Sequence, residues 1–130
     1  MKKVLLPIDG SVRSLRSLKM AKQFYAPGEA VFTILTVLPG DVSLDPAQKQ
    51  KTQAELDDWA TVLEGYQVDT AIRQGVPGPE IVRFAERGHF DAILMTRAGR
   101  GHRHKIGSVA SHIVQEVPYL DVLVMHEDKH

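Results

Sequence analysis

The chain has 130 residues, with sixteen Lys plus Arg against sixteen Asp plus Glu. That length suits one domain around one apolar core, and the charge balance gives no overall field toward nucleic acid or an anionic membrane, so any anion site must be local. There is no Cys, which excludes disulfides, thiolate catalysis and thiolate metal sites and suits a reducing compartment.

The opening Met1-Lys2-Lys3-Val4-Leu5-Leu6 begins like a signal peptide, but Pro7 and Asp9 end its apolar run early. No other stretch approaches the roughly 20 apolar residues of a membrane helix. A cytoplasmic protein is expected.

Val4 to Ile8 is a short apolar run closed by Asp9-Gly10-Ser11, the pattern of a strand buried on both faces. From Ser11 to about Tyr25, Leu15, Leu18, Ala21 and Phe24 share one helical face, while Arg13, Arg16, Lys19 and Lys22 fall elsewhere and Pro27-Gly28 makes the stop. Ala30 to Leu38, rich in β-branched and aromatic residues and closed by Pro39-Gly40, reads as the second strand, followed by a loop to Pro46. A second helix is expected from about Ala47 to Glu64, with Leu56, Trp59, Ala60 and Leu63 spaced for packing and Gly65 just beyond.

Val68 to Arg73 alternates as a half-buried edge strand does. Gly75 to Gly78 then leads into a third helix with Pro79 in its first turn, Ile81, Phe84 and Ala85 facing inward, and Gly88 at its end. Ala92 to Met95 is a fourth strand, followed by a Gly-rich basic loop, a helix from about Ser108 to Val117 and a last strand at Val122 to Met125. Strict alternation of strand and helix predicts an open parallel sheet with helices on both faces, because each parallel pairing needs a crossover. One domain over residues 1–130 is expected.

In such sheets ligands sit beyond the carboxyl ends of the strands, where the strand order reverses. The turn Pro7-Ile8-Asp9-Gly10-Ser11 places a carboxylate there: either Asp9 accepts a hydrogen bond from an adenine amino group or ribose hydroxyl, or the turn serves as a helix cap made by Asp9 or Ser11. The loop from Thr96 through Arg97, Gly99, Arg100, Arg103 and Lys105 to Gly107-Ser108 combines glycines, cations and a helix start, which suits phosphate; the alternative is a solvated basic loop capped by Ser108. Neither G-x-x-x-x-G-K-[ST] nor a G-x-G-x-x-G after the first strand is present. His102, His104 and His112 lack an acidic partner at ligand spacing, so no metal is assigned. Sequence order alone supports no catalytic triad or carboxylate pair, and no catalytic residue is assigned.

Three pieces of the chain resemble the universal stress protein family. They are Val4-Leu5-Leu6-Pro7-Ile8-Asp9-Gly10-Ser11; Gly75-Val76-Pro77-Gly78-Pro79-Glu80-Ile81; and Asp91-Ala92-Ile93-Leu94-Met95 with Gly107-Ser108-Val109-Ala110. The resemblance implies a five-stranded parallel sheet of the adenine nucleotide alpha hydrolase-like kind, holding ATP or another adenine nucleotide in a regulatory or stress-response protein. It implies that Asp9 and Val37 meet the adenine, Gly99 and neighbours the ribose and phosphates, and Gly107-Ser108 the phosphates. Pro7, Met95, Thr96, Arg100 and Val109 complete the implied site. It also implies a homodimer through Val122 to Met125, read by a protein partner.

Two departures from the family motif G-x-x-G, nine residues, G-[ST] bear on this. Thr96 stands where the first Gly belongs, and seven residues separate Gly99 from Gly107. A threonine methyl blocks a contact that Gly permits, and a shorter loop wraps a triphosphate differently. Two functions therefore stay open: a nucleotide-binding regulator, and a dimeric interaction module that has lost the site. At most slow ATP hydrolysis is expected of an enzyme on this scaffold.

Overall fold

A computed structural model describes residues 1–96, 108–117 and 119–125, and the backbone alone of Thr96, Ser108 and Met125. Its elements follow the expected alternation: β1 (Lys2–Ile8), α1 (Val12–Phe24), β2 (Ala30–Leu38), α2 (Pro46–Ala60), β3 (Gln67–Gln74), α3 (Pro77–Arg87), β4 (Ala92–Thr96), α4 (Ser108–Glu116) and β5 (Asp121–Met125). One turn of 3₁₀ helix, Thr61–Leu63, follows α2 and keeps Leu63 fully buried although the α-helix stops sooner than its spacing predicts. Pro46 opens α2 rather than closing the loop before it. Asp45 caps that start, its carboxylate accepting from the Gln48 amide at 2.8 Å.

The strands form one parallel sheet in the order β3-β2-β1-β4-β5. The chain winds outward from β1 to one edge, then returns to β4 and β5 on the other side. The order therefore reverses between β1 and β4.

Each sheet face carries its own core. On one, Val4, Leu6, Ile8, Phe32 and Ile34 meet Leu18 and Ala21 of α1 and Leu56 of α2. On the other, Leu5, Leu35, Ile93 and Met95 meet Ile81 and Ala85 of α3 and Ala110 and Ile113 of α4. Both faces of β1 are thus apolar, which is why its sequence runs without alternation. Trp59 and Phe84 pack against these cores, as their spacing predicts.

The buried face of α1 is rotated from the expected one, and Leu15 on the expected face is only partly buried. Phe24 is 51 % exposed, whereas Ser14 and Ser17 are buried beside Leu18 and Ala21. Small side chains at those positions let the first turns of α1 approach the end of β1 closely, and this approach shapes the site.

Candidate functional site

The parallel strands end at a common rim, and the first β-α turn lies on it. Gly10 there has φ +81°, a left-handed conformation that an L side chain rarely adopts, so glycine is what lets the chain leave β1 and enter α1 at once. Ser11 takes the N-cap position of α1 without making a side-chain cap.

Asp9 organises this turn. Its Oδ1 accepts three hydrogen bonds: from the Ser11 amide at 2.9 Å, the Ser11 hydroxyl at 2.6 Å and the Ser14 hydroxyl at 3.0 Å. Its own amide donates to Ser14 Oγ at 3.0 Å. Ser17 Oγ in turn donates to the Ser14 carbonyl at 2.8 Å, extending the network under the helix. Partial burial pushes the Asp9 carboxyl up, but the Ser11 and Ser14 donors and the nearby Arg13 charge outweigh it and hold the group below its ordinary value. Of the two readings of Asp9, capping is only half met: the carboxylate shapes the turn through Ser11, but the amides deeper in α1 are not its partners.

Ser14 is the residue that sequence reasoning missed. Its spacing held the signal, because Ser14, Ser17, Leu18 and Ala21 repeat as one helical face and so direct Ser14 at the end of β1.

Strand register gathers several of the expected residues. Ile8 is level with Thr36, so Asp9 and Val37 come next along two neighbouring strands. Leu5 is level with Ile93, and Pro7 and Met95 stand two residues further along their respective strands. Val37 and Pro7 are partly exposed and Met95 is buried at 8 %. Thr96 ends β4, and Ser108 opens α4 with Val109 partly buried behind it. A helix that follows a strand in this winding starts at the carboxyl rim, so the α4 amides point to the same side as Asp9. Gly99, Arg100 and Gly107, with His102 and His104, lie outside the described residues. Among the described residues no three His, Asp or Glu side chains are grouped to hold a metal, and no helix is long and apolar enough to cross a membrane.

Five parallel strands whose order reverses between β1 and β4, with the Asp9 carboxylate held at that reversal, define an open α/β domain. The chain belongs to the universal stress protein family, whose model matches residues 1–126. It is 32 % identical over 143 residues to universal stress protein MJ0531 of Methanocaldococcus jannaschii, covering 98 % of this chain and 84 % of the relative. The fold superposes on protein MJ0577 with a TM-score of 0.86 at 25 % identity, covering 99 % of this chain and 98 % of that one. It superposes on a universal stress protein in complex with cAMP with a TM-score of 0.76 at 21 % identity, covering 98 % of both chains. A family protein from Arabidopsis thaliana with AMP bound gives a TM-score of 0.70 at 14 % identity, covering 99 % of this chain and 93 % of that one. The architecture is accordingly the adenine nucleotide alpha hydrolase-like fold of these domains.

Proposed function

We propose that the chain binds an adenine nucleotide, ATP or AMP, at the rim between β1 and β4 and acts as a cytoplasmic regulatory protein of the stress response. One observation carries this reading: Asp9 is held by Ser11 and Ser14 directly beyond β1, beside Val37 and at the reversal of strand order. A carboxylate fixed in this way meets an adenine amino group or a ribose hydroxyl without ordering cost at binding. In this reading Pro7, Val37 and Met95 border the base, and Thr96, Gly99 and Arg100 face the ribose and phosphates. Gly107, Ser108 and Val109 receive the phosphates on helix amides. The cAMP and AMP found with two relatives of the same fold support the adenine class.

Calorimetric titration with ATP and AMP tests the proposal. Saturable binding that disappears in Asp9→Ala is the expected result, and no heat at millimolar nucleotide overturns it.

A second reading is favoured by Thr96 in place of glycine and by the seven-residue spacing from Gly99 to Gly107. In it the nucleotide site is lost and the protein works as a homodimer through β5, one of the two outer strands of the sheet, on which Leu123 is 36 % exposed. A chain that ignores both nucleotides yet sediments as a dimer fits this second reading alone.

A further inference from the structure

The sheet face that carries α3 and α4 is not wholly covered. Toward the outer strand β3 it opens into a cavity of about 520 Å³, within the size range of small-molecule sites. The β2–β3 pair forms its floor, with Thr33 level with Asp69, and Lys3, Arg73, Phe84 and Phe90 stand around it. Among the described residues, none of those assigned to the adenine nucleotide lines it.

Thr33 is the unusual member. It is 7 % exposed, and the described residues give its hydroxyl no hydrogen-bond partner. The oxygen is not sealed off, and Thr33 lines the cavity. Its neighbours on this face are Leu5, level with it on β1, and Leu35. Valine would fill such a place equally well, and the open hydroxyl is available to a partner from outside the chain.

The charges around it are held in place. The Lys3 ammonium lies 4.9 Å from the Phe90 ring centroid and donates to the Gly88 carbonyl. The Arg73 guanidinium lies 4.8 Å from the Phe84 centroid, and the two rings are 5.6 Å apart. A cation resting on a ring keeps donors for a ligand. An adjoining cavity of about 290 Å³ shares Arg73, Phe84 and Gly88 and adds Arg87, while Arg83 there is paired with Glu80 at 2.6 Å. With Arg83 and Glu80 offsetting each other, the described lining residues leave Lys3, Arg73 and Arg87 against Asp69, a local excess of two positive charges in a chain that is neutral overall.

We infer that these joined cavities form a second binding site, independent of the nucleotide rim, for a small phosphorylated polyol. The phosphate dianion matches the excess charge between Lys3, Arg73 and Arg87. Hydroxyl groups of the ligand donate to Asp69 and pair with Thr33.

The test is an NMR titration of isotope-labelled protein with glycerol 3-phosphate. The Thr33 methyl and the Asp69 and Arg73 amides should move together along one saturating curve. Thr33→Val should weaken binding about tenfold, Arg73→Gln at least as much, and inorganic phosphate should bind less tightly than the ester. Thr33→Val should also unfold no more easily than the parent, since the lost hydroxyl has no partner among the described residues. Signals that stay still, an unchanged curve in Thr33→Val, equal binding of inorganic phosphate, or a less stable Thr33→Val protein would each overturn the assignment.

Discussion

Asp9 and Ser14 grip each other through two hydrogen bonds, the Asp9 amide donating to Ser14 Oγ and the Ser14 hydroxyl returning a donor to Asp9 Oδ1, each at 3.0 Å. The hydroxyl ties the end of β1 to the first turn of α1 and fixes the direction of the carboxylate. Ser14 is 3 % exposed, so water does not readily replace it.

Ser14→Ala removes both bonds and leaves the Asp9 amide without its partner. The expected cost is about 1–3 kcal/mol of stability, read from denaturant midpoints. If the rim binds nucleotide, the same variant should also lose affinity, because the carboxylate is no longer held; an unchanged titration would show that Ser14 serves the fold alone.

The depressed ionisation of Asp9 predicts a pH dependence of known sign. Its carboxyl titrates lower in the folded chain than in the unfolded one, so its contribution is complete above the unfolded value of about 3.9 and disappears as pH falls through the lower folded value. Asp9→Asn should therefore narrow the stability gap between neutral and strongly acidic solution. Unfolding curves of parent and variant across that range would reveal it, and parallel acid limbs would rule it out.

Gly78 sets the contact between α3 and α4. A β-carbon at this position would meet the His112 ring at 3.0 and 3.1 Å, tighter than ordinary packing. Gly78→Val should cost about 1–3 kcal/mol by overpacking. It should also displace α4 and with it the helix start at Ser108, so nucleotide affinity should fall with stability. Thermal unfolding and titration of the same preparation check both effects.

For the proposed dimer, Leu123 on the outer strand β5 offers the direct handle. A Leu123→Lys chain should sediment as a monomer, since a charged side chain on an outer strand opposes pairing with a second copy. Dimers that survive the change would place the contact elsewhere.

Much of the scaffold was legible in local pattern. Ala30–Leu38 is bounded in the structure as its composition predicts, because a β-branched run closed by Pro39-Gly40 leaves little choice. Gly10 and Asp9 marked the first rim turn for the same local reason: only a short turn with a left-handed residue joins a buried strand directly to a helix. Phe24 was misread because helical spacing gives a face but does not say how far along the helix its cover extends, and this exposed residue is the last of α1.

The sequence by itself determined the alternation of strands and helices and the candidate carboxylate, since both follow from neighbours a few residues apart. The strand order β3-β2-β1-β4-β5 was decided only in three dimensions. That order brings Asp9 beside Val37 and opens a floor where Thr33 meets Asp69, residues separated by a whole helix in the chain. No local periodicity encodes such meetings, because they depend on which strands pair and how far α3 extends over them.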